Sequence, residues 1–228
     1  MFLLNGGVAR SRRRPTVTYL LVLLMAGVML VVYVGRDPLP SRVFSRLSLV
    51  PASMFQGMDL YRLVTYMFLH SGLMHFVLNA FSLLGAGILV EREIGSGRFL
   101  VLFLASGVAA GLVHSFVFAG SDMPVVGASG AIFGIIAVMS LLMPFKITFI
   151  MLVPLPAVVV GILLGVLEVY SAAYSFDPMV AHFAHLGGFA FGGLSAFLID
   201  AKRAARGLVT AVLVYVCLYL LSRLILAL

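Results

Sequence analysis

Ser129 and His185 are the residues of this chain whose types and settings best suit nucleophilic chemistry. Ser129 stands in Gly127-Ala128-Ser129-Gly130, directly before an apolar run, and His185 in Ala184-His185-Leu186-Gly187-Gly188-Phe189-Ala190-Phe191-Gly192. A serine attacks well when a neighbouring base takes its proton and N–H groups meet the oxyanion that forms. A helix start supplies N–H groups without in-helix acceptors, and glycine lets a carbonyl approach the backbone closely. His75 and Asn79, four residues apart and so on one helical face, add a ring N–H and an amide donor that could complete an oxyanion site. Each residue also has an ordinary use. A serine here caps a helix, and a histidine or asparagine bonds a carbonyl across a helix contact.

Composition says where such a site would sit. Of 228 residues, 63% are hydrophobic and 10% charged, with a mean hydropathy of +1.18; soluble domains are about 25% charged. The net charge of +7 does not imply nucleic acid, because most basic residues flank apolar segments, as membrane orientation requires. The single cysteine, Cys217, excludes an intrachain disulfide and a thiolate zinc cluster. Expected spans are Thr16–Val34, Leu73–Val90, Phe99–Phe118, Ala128–Met143, Ile147–Ala172, Ala181–Ile199 and Leu208–Leu228. Pro154 and Pro156 break the fifth run, so its helix should start near Leu155, with Ile147–Val153 extended or irregular. The connection from Gly35 to Gly72 is too apolar for a solvated linker and too interrupted to cross a bilayer; it should lie in the membrane interface. Arg10, Arg12, Arg13 and Arg14 precede the first run, which lacks a small-x-small cleavage site and reads as an uncleaved helix.

Orientation follows from Lys and Arg. With the N-terminus inside, the inner side receives Arg10, Arg12, Arg13, Arg14, Arg92, Arg98, Lys146, Lys202, Arg203 and Arg206, against Arg36, Arg42, Arg46 and Arg62 outside. His75, Asn79, Ser129 and His185 then share one depth, on three separate helices. Polar groups inside a membrane are costly unless paired or in a wet cavity, which makes them functional candidates. Gly130 and Gly134 on the fourth span, and Gly188 and Gly192 on the sixth, are small-xxx-small pairs that permit close helix contact. That contact would bring Ser129 and His185 together. No carboxylate has a clear place beside the imidazole: Glu91 and Glu93 fall at the inner face, Glu168 in the fifth helix, and Asp122 and Asp177 in loops. The expectation is a Ser-His dyad.

Together these motifs resemble the rhomboid proteases. His75-x-x-x-Asn79, Gly87-x-x-x-Glu91-x-x-x-Gly95, Gly127-Ala128-Ser129-Gly130 and Ala184-His185-x-x-Gly188-x-x-x-Gly192 occur in the family's order over roughly Met54 to Asp200. The resemblance implies an all-α polytopic transmembrane bundle, a six-helix core (54–200) between an N-terminal segment (1–53) and an added seventh helix (201–228). It implies Ser129 as nucleophile, His185 as base, and His75, Asn79 and the Ser129 N–H as oxyanion donors. Gly127, Gly130, Gly188 and Gly192 would support them, Phe133 would pack against the catalytic histidine, and Glu91 would be structural. The expected activity is intramembrane cleavage of transmembrane protein substrates, with the lipid bilayer as surroundings and no cofactor, metal or nucleic acid. The expected setting is a bacterial plasma membrane with a cytoplasmic N-terminus. One departure is Tyr61-Arg62, where the family usually carries Trp-Arg; the loop should survive it, since tyrosine is also an interfacial aromatic.

Two rival readings stand beside this one. His70, His75, His114, His182 and His185 all lie toward the outer side, yet no HExxH and no evident carboxylate completes a metal hydrolase's ligand set. A non-proteolytic rhomboid-like protein binding membrane clients is the alternative function, but such relatives typically lack the serine or the histidine.

Overall fold

A computed structural model describes residues 14–35, 39–54, 59–150, 153–174 and 181–226. The first apolar run forms α1, Thr16–Val34. The interfacial connection folds into three short helices, α2 (Leu39–Leu47), α3 (Pro51–Met54) and α4 (Arg62–Thr65). There follow α5 (Leu73–Ser82), a π turn at Leu83–Gly87, α6 (Ile88–Ile94) and α7 (Ser96–Val117). After α8 (Ser129–Leu142) come strands β1 (Ile147–Ile150) and β2 (Val153–Pro156), then α9 (Ala157–Tyr174) and α10 (His182–Leu226).

Among the described residues, α1, the α5–α6 rod, α7, α9 and α10 are long and apolar enough to cross a membrane. This is the expected all-α polytopic bundle. At 45 residues, α10 exceeds twice the helix needed for a bilayer core of about 30 Å. Asp200 divides it, with φ −157 and ψ 89. The Asp200 carboxylate accepts the Arg203 N–H at 3.0 Å, the bond a helix N-cap makes. A further helix therefore starts beside Asp200 and carries the expected apolar run from Leu208.

The end of the second span differs from expectation, and the start of the fifth helix agrees with it to within two residues. The second span runs on to Ile94, so Glu91 lies within its last turn. The fifth run is a helix only from Ala157. Before it, Ile147 pairs with Pro156 and Ile150 with Val153 in an antiparallel hairpin. Pro154 and Pro156 have no N–H to give a helix, and a two-stranded ribbon leaves its outer edge free of that demand.

The short α8 sits at the centre, nearly all of its residues buried, as a helix apolar on every side must be. Its 14 residues span about 21 Å, less than the hydrocarbon core, so its terminal polar groups need partners. At its C-terminal end the Arg203 guanidinium donates to the Leu142 carbonyl at 2.7 Å and to Glu93 at 2.6 Å.

The α8–α10 contact is as close as the glycine spacing predicts. A Cβ at Gly188 would collide with the Gly130 carbonyl, and one at Gly192 with the Gly134 carbonyl. Nothing larger than hydrogen fits at either position. Elsewhere, Glu91 ties the start of α1 to the end of α6. Its carboxylate accepts N–H groups of Val17 (2.9 Å) and Thr18 (2.7 Å) and hydroxyls of Thr18 (2.7 Å) and Ser96 (2.6 Å). An anion suits this position at the positive end of α1.

The connection between α1 and α5 is anchored by polar contacts. Arg62 donates to the Ser45 (2.9 Å) and Ser48 (3.0 Å) carbonyls and pairs with Asp59 at 2.8 Å. The Tyr61 hydroxyl donates to the Arg46 carbonyl at 2.9 Å. Thus Tyr61-Arg62 holds the connection together, as expected. Leu49 and Val125 exchange backbone bonds at 3.0 and 2.7 Å, joining it to the segment that leads into α8.

Gly188→Ala should therefore lower thermal stability in detergent, by about 1–3 kcal/mol as for an overpacked core. Gly193→Ala, with nothing within 4 Å of its added Cβ, should leave the melting temperature nearly unchanged.

Candidate active site

The segment entering α8 is set by one glycine. Gly127 has φ 122, a conformation that L side chains rarely adopt, and its N–H donates to the Tyr66 carbonyl at 2.9 Å. The Tyr66 hydroxyl in turn donates to the Gly107 carbonyl at 2.7 Å, fixing the turn to α7. A Cβ on Gly127 would lie 2.8 Å from both Cε1 and Nε2 of His75 and 3.8 Å from Ser129 Oγ. Glycine thus lets the His75 ring rest on the backbone next to the serine.

Ser129 opens α8, and the residue before it, Ala128, makes no side-chain cap. The serine hydroxyl does not serve as a cap either. It meets His185 Nε2 at 2.7 Å. Both side chains are half-buried, and the glycine contact described above carries α10 close enough for them to touch. Phe133, one turn into α8, stacks on the His185 ring at 4.5 Å between centroids and 8° between planes. That face contact limits imidazole rotation and favours a cationic ring.

Sequence spacing had left the imidazole without a carboxylate, and here the structure differs. Glu168 of α9 reaches His185 Nδ1 at 2.9 Å through one oxygen and His182 Nδ1 at 2.7 Å through the other. Its side chain is 8% exposed. Glu168 and His185 are on different helices, so no interval in the chain announces their contact. A signal was nevertheless present: Gly161, Gly165 and Glu168 share one face of α9. A Cβ at Gly165 would touch the Phe189 ring of α10 at 3.7 Å, so that face looks toward the histidine's helix. Of the other acids considered, Glu91 and Glu93 bind at the far end of the bundle, Asp122 is exposed, and Asp177 lies outside the described residues.

His75 and Asn79 stand on α5. His75 Nδ1 lies 3.0 Å from the Ser71 hydroxyl, a partner the sequence reading missed. If Ser71 donates, His75 Nδ1 is the acceptor and its Nε2, beside the Gly127 backbone, carries the proton. Asn79 is buried and donates one amide hydrogen to the His75 carbonyl at 2.9 Å. His70 packs edge-on against His75 at 5.1 Å. Burial, reinforced by the neighbouring His75, lowers the His70 pKa to about 4, so His70 is neutral near pH 7.

Glu168, His182 and His185 place three donor atoms within 4.8 Å of one another, so a carboxylate does accompany two of the histidines. Each Nδ1 has its own carboxylate oxygen at hydrogen-bond distance, and His185 keeps its Nε2 on the serine. The arrangement is complete as a hydrogen-bonded chain.

Residues 57–202 match the family model described as the Rhomboid domain, well over half of the chain. The chain belongs to the rhomboid family. It is 36% identical over 121 residues to Rhomboid protease GluP of Bacillus subtilis (strain 168), covering 53% of this chain and 23% of that protein. It is 37% identical over 152 residues to RHOMBOID-like protein 4 of Arabidopsis thaliana, covering 63% and 35%. To RHOMBOID-like protein 6, mitochondrial, of the same plant it is 33% identical over 146 residues, covering 63% and 45%. The chain thus spans less than half the length of these relatives. As a rhomboid with several membrane-crossing helices, it is an integral multi-pass membrane protein. Of the expected site residues, Gly127, Ser129, Phe133, His75 and His185 come together around the start of α8, and Gly188 and Gly192 pack along it against Gly130 and Gly134.

Gly127→Ala should strain the turn and displace His75 together. The expected cost is about 1–3 kcal/mol for the backbone alone, read as a lower melting temperature of the purified protein.

Proposed function

We propose that this rhomboid is an intramembrane serine endopeptidase that cuts transmembrane segments of other membrane proteins, with Ser129 and His185 carrying the chemistry. The observation that carries this reading is the 2.7 Å contact between Ser129 Oγ and His185 Nε2, made at a helix start without a side-chain cap. The relatives named as rhomboid proteases add support.

The steps follow from the geometry. Ser129 Oγ attacks the scissile carbonyl carbon while its proton passes to His185 Nε2. The carbonyl π electrons move onto oxygen, where the Ser129 N–H, His75 Nε2–H and the second Asn79 amide hydrogen can donate. As the carbonyl re-forms, the C–N bond breaks and the imidazolium gives its proton to the leaving amine. Water then repeats the sequence on the acyl-serine, with His185 again as base. A substrate helix must unwind to present its backbone to Ser129, which favours weakly helical segments with small residues. The Lys and Arg distribution supports a cytoplasmic N-terminus, with a bacterial plasma membrane as the setting.

A folded client-binding protein without protease activity would share the fold but leave the serine inert. The two readings part on a fluorophosphonate probe. The purified protein in lipid should label at Ser129 and cleave a model transmembrane substrate. Ser129→Ala should abolish both, and His185→Ala should reduce both by at least about 1,000-fold. His75→Ala or Asn79→Ala should lower kcat by roughly 10- to 1,000-fold. No labelling and no cleavage by well-folded wild type would reject the protease reading.

A further inference from the structure

Glu168 is an ionisable group within a membrane-crossing helix, about 17 Å along α9 from its start. Such a group is expensive in a membrane and persists where its partners compensate it. Both of its oxygens are engaged, one by each of two histidines, and one of those histidines touches Ser129. The carboxylate is thus bonded to the far side of the ring whose near side meets the serine hydroxyl.

We propose that Glu168 is the positioning carboxylate of this site, completing a Ser129–His185–Glu168 relay in which His182 holds the second carboxylate oxygen; the proposal rests on the protease reading above. A carboxylate accepts and cannot donate, so the proton of neutral His185 resides on Nδ1. Its Nε2 is then the free base, pointing at Ser129 Oγ. When Nε2 takes the serine proton, Nδ1–H keeps its own, and Glu168 remains ionised beside the imidazolium. No proton passes to the carboxylate at any step. Phe133 and Glu168 constrain different motions: the stacked ring sets the imidazole's plane, and the carboxylate sets its rotation within that plane. His182 Nδ1–H satisfies the other oxygen and fixes the carboxylate in turn. Because Glu168 is on α9 and His185 on α10, the base is aligned only while these two helices stay in contact.

Glu168 does not touch substrate, so its role should appear in turnover. In lipid, Glu168→Gln keeps shape and volume but loses the charge. Its kcat on a model transmembrane substrate should fall on the order of 100-fold while KM changes less than about threefold. Labelling of Ser129 by a fluorophosphonate should slow in parallel. A downfield proton resonance from His185 Nδ1–H should be present in wild type and in Ser129→Ala, and lost in Glu168→Gln. Melting temperatures separate folding from chemistry, and Glu168→Asp, should Glu168→Gln fail to fold, retains the charge for the same rate comparison.

Unchanged kcat in folded Glu168→Gln, with wild type labelling and cleaving normally, would overturn the positioning role and leave the protease reading intact. A rise in kcat would overturn it too, since the carboxylate would then restrain the base. Loss of wild-type activity on chelation, restored by zinc, would assign the three side chains to a cation instead. Failure of wild type to label and cleave would remove both readings together.

Discussion

The backbone contact between α8 and α10 controls almost everything else in this molecule. Hydrophobic burial cannot choose one helix pairing over another inside a lipid, because lipid is as apolar as leucine; close packing of small residues can. Gly130 and Gly134 face Gly188 and Gly192 so tightly that an added Cβ on either of the last two would strike a carbonyl. This fixes both the separation of the helices and their register. Ser129 precedes one glycine pair by one residue and His185 precedes the other by three. Setting the register therefore sets the 2.7 Å approach between hydroxyl and ring. The distance between Ser129 and His185 is here a consequence of packing.

A short central helix makes that contact useful. A helix of ordinary transmembrane length would carry its first N–H groups to the membrane surface. α8 is about a third shorter than the hydrocarbon thickness, so its start lies inside the bundle, among α5, α7 and α10. The cost falls at its other end, where carbonyls lose their partners, and there Arg203 supplies a cation to the Leu142 carbonyl. Glu93 balances the guanidinium, and Asp200 starts the helix that presents it. The asymmetry is telling: the C-terminal end of α8 is closed by a side chain, and the N-terminal end has no side-chain cap.

What the sequence made legible follows the same physics. Helices and their glycine faces are local periodic features, so most of the spans, the small-xxx-small pairs and the approach of Ser129 to His185 could be read from spacing. The break at Pro154 and Pro156 was equally local, and so is the hairpin they enter, with Phe149 and Ile147 as their partners. Glu168 escaped because its contact joins two helices whose relative rotation no interval in the chain encodes. Ser71 escaped for another reason: its contact with His75 Nδ1 depends on a side-chain rotamer. The added helix expected over 201–228 takes in the basic stretch after Asp200. In the structure the same residues are helical, with Arg203 turned inward.

Glu168 and Glu91 show how differently one residue type can be employed in a bilayer. Both are buried, and both have each oxygen occupied by hydrogen-bond donors. Glu91 takes its donors mainly from the start of α1, groups whose bonding state never changes, and so acts as a rivet between α1 and α6. Glu168 takes its donors from two imidazoles, rings that can exist in a neutral or a charged form. A carboxylate bonded to such a ring interacts more strongly with its charged form than with its neutral one. Any step that protonates His185 is therefore favoured by Glu168. That differential stabilisation separates a group able to lower a barrier from one that only holds helices together.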